Sequence, residues 1–452
     1  MKKVLHKKSF TLIAAVAASA LLLSACGGSG STTDSNAAVD GKGQTLDVLV
    51  NVNTGYPEEQ KNWMTDIAAK FKQQTGAELK FETFASANDE LTKIQTSVVS
   101  GQGPDVYSLG TTFTPTAYAT GAFVKLGDAE WAKVGGKDRF NPATLGISGP
   151  DEKNQVGVPF VSRPFVMAYN TELYKAAGLD KPASTWDGLA EQAKKLTGNG
   201  NFGMAVGYKD GFDPWKFIWA MAAEAGHPLV DGNQAKLDDS AVQKAYESYF
   251  GWLNQDKVVD PASIGWNNSQ ALAAFAQGKT GLFPMTTATA ARTLDASPIK
   301  DKYAFALMPT VAPGQTERPS NGVEAASILS GDNLVVADYS KNKDLAFAYI
   351  KLITSKDEQL NYNKIFGDLP ANADGLKAID NPLFGLITDA ATKSHATPFT
   401  GAWGNIQLAL TNVVVQSIPE LSGGGVSESV LKQRLQDAQS KAQKSLDRAG
   451  KG

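Results

Sequence analysis

The chain has 452 residues, of which 42% are apolar and 20% charged, with a formal net charge of −3. A chain of this length can bury two cores, and its balance of charge gives no electrostatic reason to expect nucleic acid as a partner. The single cysteine, Cys26, excludes an intramolecular disulfide.

Lys2, Lys3, Lys7 and Lys8 precede an apolar run from Phe10 to Leu23 that is too short for a comfortable membrane span. Residues 1–25 therefore read as a cleaved signal segment. The run ends in Leu23-Ser24-Ala25-Cys26, which resembles a bacterial lipobox; the resemblance implies cleavage before Cys26 and a diacylglyceryl thioether on its sulfur. The following residues are small and polar, so residues 26–44 are expected to form the lipidated Cys and a flexible tether.

The folded body begins with the strand Leu46 to Val50, followed by a loop to Pro57 and a helix from about Glu58 to Gln74. Trp63, Ile67 and Phe71 share one face of that helix and Gly76 stops it. Leu79, Phe81 and Thr83 alternate with charged residues, the period of a half-exposed strand. A second helix carries Leu91, Ile94 and Val98 and ends at Gly101 and Gly103, before a third strand from Pro104 to Leu109. Strand, helix, strand, helix, strand predicts parallel pairing, with loops gathered at the strand ends where open α/β sheets bind ligands.

From Val156 to Asn170 an apolar stretch is broken at Ser162-Arg163-Pro164, which reads as a crossing between two sheets rather than one long strand. A short helix follows from Thr171, and Thr185 caps the next, which buries Leu189, Ala193 and Leu196. The run G-V-P-F…Y-N-T-E-L-Y-K-A-A-G-L…P-A-S-T-W-D-G-L…A-K-K-L-T closely resembles the inter-lobe crossing of extracellular solute-binding proteins of sugar-type ABC importers. Gly188 departs from it, standing where the family usually has a larger polar residue.

The resemblance implies a two-lobe α/β fold, periplasmic-binding-protein-like (type II). Each lobe is expected to be a mostly parallel sheet flanked by helices, the two being joined by hinge crossings. It places residues 45–162 and about 326–378 in the N-terminal lobe, and residues 163–325 and about 379–450 in the C-terminal lobe. It further implies a monomeric receptor, lipid-anchored on the outer face of the cytoplasmic membrane, that captures a carbohydrate, in particular an oligosaccharide. The receptor delivers its ligand to ABC permease subunits in the membrane and uses no cofactor.

Beyond the crossing, Asp213-Pro214 predicts the N-cap and first residue of a helix bearing Trp215 and Trp219. Val242, Ala245, Tyr249 and Leu253 mark another helix, and Leu272 with Phe275 a third. Strands are predicted at Thr280 to Phe283, Tyr303 to Leu307 and Asn333 to Val336, and helices at Asp344 to Ile353, Gly404 to Ile418 and Ser427 to Leu446.

Enzymatic motifs are few. Gly198-Asn199-Gly200-Asn201-Phe202-Gly203 has the dinucleotide spacing, but it follows a helix and precedes a strand, the reverse of what a pyrophosphate site needs, so it reads as a loop. His227 and His395 are isolated, so neither a metal site nor a Ser/His triad is expected. Arginine is scarce, which favours a neutral ligand over one held by bidentate clamping. Arg163 and Arg292 fall in segments expected to face the cleft, with a structural ion pair as the competing reading for each. A cell-surface glycoside hydrolase, and a receptor for a phosphate ester or polyamine, stand as alternatives.

First-lobe candidates for ligand binding are Asn53, Thr54 and Glu58 after the first strand and Thr111 and Thr112 after the third, each with a second reading as a helix cap or turn residue. Arg163, Thr286 and Thr287 are further candidates. Trp215 and Trp403 are proposed as stacking platforms, because related sugar receptors carry aromatics at about these places. Trp403 also lies between Gly401 and Gly404 at a helix start, where an exposed ring is easier to explain by ligand than by core. Trp63, Trp186 and Trp252 are assigned to packing.

Overall fold

The computed structural model describes residues 39–380 and 383–450; Cys26, the signal segment and most of the expected tether lie outside them. Residues 41–44, expected as the end of that tether, belong to the body. The Gly41 N–H donates to the Thr75 carbonyl at 2.7 Å, and the Glu78 N–H to that of Gln44 at 2.9 Å.

The strands in chain order are β1 (Thr45–Asn51), β2 (Glu78–Phe84), β3 (Val106–Gly110), β4 (Val158–Ser162), β5 (Phe165–Asn170), β6 (Phe202–Met204) and β7 (Val230–Asp231). They continue with β8 (Gln234–Ala235), β9 (Thr280–Thr287), β10 (Tyr303–Ala306), β11 (Ser327–Ile328), β12 (Gly331–Val336), β13 (Leu369–Pro370) and β14 (Ser394–His395). A six-stranded sheet has the order β13-β4-β12-β3-β1-β2, and a four-stranded sheet the order β10-β5-β9-β6. The apolar stretch around Pro164 thus leaves one sheet at Ser162 and enters the other at Phe165, as its broken pattern requires.

Pairing is mixed rather than mostly parallel. β1 runs parallel to β2 and β3, and β6 to β9, whereas β3–β12, β12–β4, β4–β13, β10–β5 and β5–β9 are antiparallel. Parallel pairing, expected from the strand–helix alternation before Gly110, holds there, because a helical crossover returns the chain in the same direction, whereas the mostly parallel sheets implied by the resemblance are not found. Strands that arrive through the crossings carry no such constraint.

Two helices position the first wall of the site. Helix α1 (Pro57–Thr75) buries Trp63, Ile67 and Phe71, and α2 (Ala87–Ser100) is capped by Ser86, whose Oγ accepts from the Asp89 N–H at 3.2 Å. Alternation along β1 sends Leu46, Val48 and Val50 into the core beneath α1 and Leu49 into the core beneath α2. In the second sheet, Phe165 and Met167 face the large core containing Trp186, Trp215 and Trp403, while Val166 and Ala168 face the opposite side. Trp186 and Trp252 stack at 5.8 Å there, as packing residues.

The chain returns from the four-stranded sheet after β10 to the six-stranded sheet at β12, and this second crossing lies beside the first. The Arg163 N–H donates to the Ser330 carbonyl at 2.8 Å, and the Phe165 N–H to Ser327 Oγ at 2.8 Å. Gly331 is required at this contact: a Cβ there would sit 2.0 Å from the Val161 carbonyl oxygen. Thr185 caps its helix as expected, accepting from the Gly188 N–H at 3.0 Å. Asp213 precedes the helix Pro214–Glu224 but makes no side-chain cap; its carboxylate bonds Lys216 instead.

Candidate functional site

A cavity of about 620 Å³ lies between the two sheets, at the carboxyl ends of β1 and β3. Its first wall comes from the loop Asn51–Tyr56, the start of α2 and residues 110–113; the second from residues 209–216, Asn267–Ser269 and the end of β9; the floor from Arg163, Ser330 and Asp332 at the crossings.

Of the residues singled out from sequence, Asn53, Thr54, Thr111, Thr112, Arg163, Trp215, Thr286 and Thr287 line this cavity. Several are committed to shaping it. Asn53 Oδ1 accepts from the Gly55 and Tyr56 N–H groups at 3.1 and 2.9 Å, a turn that fixes the loop after β1. Thr111 Oγ1 donates to the Leu329 carbonyl at 2.9 Å and holds the first wall to a crossing. Thr286 and Thr287 end β9 next to Met285, which adopts a left-handed φ of 54° beside a register shift against β5. For a non-glycine residue that conformation is strained, and strain of this kind gathers at ligand sites.

Glu58 and Trp403 are not part of the cavity lining. Glu58 is exposed in the first turn of α1. Trp403 is 0% exposed and packs edge-on against Trp215 at 5.7 Å, inside the large core. The glycines flanking it serve a close backbone approach instead of displaying a ring: a Cβ on Gly401 would lie 2.3 Å from the Ala119 Cβ, and one on Gly404 2.9 Å from Thr116 Oγ1. Trp215 does line the cavity but is 2% exposed, so only an edge of it can reach a ligand.

Arg163 is a structural ion pair. Its Nε and Nη2 bond Asp368 Oδ1 and Oδ2 at 2.7 and 2.9 Å, and Nη2 also lies 2.8 Å from Asp332 Oδ2. Burial works against its charge, but the Asp332 and Asp368 carboxylates outweigh it and keep the guanidinium protonated. Arg292 likewise reaches across the mouth, its Nη2 2.6 Å from Glu59 Oε1 and its guanidinium 4.8 Å from the Tyr56 ring centroid. At the same seam the Tyr56 hydroxyl donates to the Thr289 carbonyl at 3.0 Å, and Thr54 Oγ1 lies 2.8 Å from Ser269 Oγ.

Sequence reasoning missed Tyr56, Trp63, Glu90 and Asp332 as lining residues. Trp63 is buried as expected, against Phe160, Tyr362 and Phe366, yet it also forms part of the cavity wall. For Glu90 a signal existed: it is an acid on the helix face that carries Ala87, Leu91 and Ile94. For Asp332 there was none, because its place follows from the pairing of β12 with β3.

Residues 55–360 match the family model of the bacterial extracellular solute-binding proteins. The chain belongs to this family. Among curated relatives of this solute-binding protein, the diacetylchitobiose binding protein DasA of Streptomyces coelicolor is 27% identical over 412 residues, covering 88% of this chain and 90% of the relative. The sn-glycerol-3-phosphate-binding periplasmic protein UgpB of Yersinia enterocolitica is 28% identical over 225 residues, covering 47% of this chain and 48% of its own. Solved structures with the same fold include maltose-bound MalE3 of T. maritima, with a TM-score of 0.72 at 19% identity, covering 89% of this chain and 99% of that one. A ribitol complex from Agrobacterium radiobacter K84 has a TM-score of 0.72 at 22% identity, covering 90% of this chain and 99% of that one.

Among the described residues, no helix is long and apolar enough to cross a membrane, and no group of three or more His, Cys, Asp or Glu is placed to hold a metal ion.

Proposed function

We propose that this solute-binding protein captures a neutral carbohydrate in the inter-lobe cavity and hands it to the permease of an ABC importer. The observation that carries the reading is the state of charge in the cleft. Glu90, Asp210, Asp213, Asp332 and Asp368 line it against Arg163, Lys209 and Lys216. Arg163 is taken up by two carboxylates and Lys216 by Asp213. A phosphate ester would meet an excess of acids and no free bidentate clamp, whereas hydroxyls suit the Asn, Thr and Ser side chains beside Tyr56 and Phe212. The volume falls in the usual range for small-ligand pockets, roughly 300–1,000 Å³.

The similarity to a diacetylchitobiose binder makes a disaccharide of N-acetylated amino sugars the first ligand to try. A thermal-shift screen with N,N′-diacetylchitobiose, maltotriose and glycerol 3-phosphate tests the reading, since a ligand that binds only the folded state raises the melting midpoint. A response to glycerol 3-phosphate alone would refute it. Hydrolysis of either sugar on incubation would replace the receptor by a glycosidase.

Residues 45–162 with about 326–378 are assigned to one lobe and 163–325 with about 379–450 to the other, in keeping with the split of β4 and β5 between sheets. The protein is taken to act as a monomer tethered through a lipid on Cys26. Cys26→Ser should release it from membranes or leave it unprocessed, and membrane retention after normal signal cleavage would defeat the anchor.

A further inference from the structure

Glu90 has no packing reason to be where it is. It sits in the first turn of α2 on the face that buries Ala87, Leu91 and Ile94, where an apolar side chain would cost less. The residue is 2% exposed and lines the cavity. Its Oε1 accepts from the Gly110 N–H at 3.1 Å, at the end of β3, and Oε2 has no hydrogen-bond partner among the described residues. Gly110 pairs in register with Asp332, so two carboxyl groups share this corner of the floor. They are neutralised differently: Asp332 has Arg163 at 2.8 Å, and Glu90 has no cation partner among the described residues.

We propose that Glu90 is a ligand-contacting, specificity-determining residue that donates a hydrogen bond from its free carboxyl oxygen to an uncharged oxygen of the ligand, such as a sugar hydroxyl. The inference rests on the carbohydrate reading above. Burial pushes the Glu90 carboxyl well above the ordinary range and Asp332 pushes it further, against the Gly110 N–H, so its protonated form persists to higher pH than that of an exposed glutamate. The other charged residues of the cavity lining are Arg163, paired with Asp332 and Asp368, and, from the second wall, Lys209, Asp210, Asp213 and Lys216, the last held by Asp213. A neutral carboxyl presents a donor and an acceptor side by side, the pair that a hydroxyl requires, and offers nothing to a cation. Because the complex holds the proton, affinity falls as pH rises through the titration of Glu90 in the free protein.

The test is calorimetric titration of N,N′-diacetylchitobiose and of maltotriose into wild type, Glu90→Gln and Glu90→Leu between pH 5.5 and 9, with melting midpoints recorded for each. Glutamine copies the protonated acid, so Glu90→Gln should bind with the low-pH affinity of wild type at every pH. Wild type should weaken by about tenfold across the range, one hydrogen bond's worth, and Glu90→Leu should bind weakly throughout while folding normally. Wild-type affinity in Glu90→Leu would overturn the inference alone, as would wild-type binding that strengthens with pH while Glu90→Gln fails, the behaviour of an accepting carboxylate. Failure of both sugars to bind wild type at any pH would overturn the carbohydrate reading and this inference with it.

Discussion

Trp403→Ala tests whether this ring is core or ligand platform, and the structure sets the size of the effect. A tryptophan buries roughly 150–250 Å², and at about 25 cal/mol per Å² truncation to the retained Cβ forfeits about 3–5 kcal/mol. Loss of the edge contact with Trp215 adds about 0.5–1.5 kcal/mol. Against this, the Trp403 indole N–H is buried without a hydrogen-bond partner among the described residues, and removing it returns about 1–3 kcal/mol. The net cost is about 3 kcal/mol. Unfolding entropy near 2.1 cal/mol/K per residue over roughly 400 residues is about 0.8 kcal/mol/K, so the midpoint should fall by about 4 °C if the body melts as one unit. Scanning calorimetry reads the shift, and titration of a bound sugar reads the affinity. An unchanged midpoint with lost sugar affinity would refute the burial argument and restore the ring to the cleft.

Arg163→Met leaves Asp368 and Asp332 without their cation and should cost about 3–5 kcal/mol at neutral pH; equal urea midpoints for variant and wild type would show that the pair contributes nothing net. Glu224 is fully buried, receives the Trp186 indole N–H at 2.7 Å, and is pushed well above its ordinary value of 4.5 by burial, so its neutral form belongs to the fold. Its contribution is therefore complete below about pH 4.5 and declines as pH rises toward the folded-state value, so Glu224→Gln should flatten the pH dependence of urea stability above pH 4.5; a variant as pH-sensitive as wild type there would exclude Glu224 as the cause. Tyr56→Phe with Arg292→Ala removes the Tyr56 hydrogen bonds and the Glu59 ion pair from the mouth. Because an exposed ion pair is worth about 0.2–1 kcal/mol and a neutral hydrogen bond about 1 kcal/mol, the double variant should show a modestly larger radius of gyration by X-ray scattering, and an identical profile would deny the seam any role in closure.

The fold was legible wherever side chains repeat with a helical or strand period. Trp63, Ile67 and Phe71 announced α1, and the break at Pro164 announced the passage between sheets. Strand direction was not legible past Gly110, because sense is set by where a crossing delivers the chain and not by the pattern within the strand. The site was half legible for a similar reason. Loops at strand ends could be named, and Asn53, Thr54, Thr111 and Thr112 do line the cavity. Whether a tryptophan beside glycines faces outward depends on what approaches those glycines, and Ala119 and Thr116 lie far from Trp403 in sequence. Asp332 reaches the floor through pairing with Gly110, a contact that no local window contains.

The Arg163 ion triad has a geometric consequence for motion. One guanidinium ties the first crossing, through its own position, to the start of β12 at Asp332 and to the turn before β13 at Asp368. A crossing anchored in this way to the edge of the six-stranded sheet would serve as a pivot, and displacement would then grow with distance from it as along a lever. Residues beside the pivot, Ser330 and Asp332 among them, would keep their spacing while Thr54 and Ser269 part at the far end. The floor would then be preformed in the open protein, and a ligand would be sorted there before the mouth shuts. Paired spin labels across the mouth should move by many ångströms on closure while a pair flanking Arg163 hardly moves; equal displacements at both ends would mean that the lobes slide.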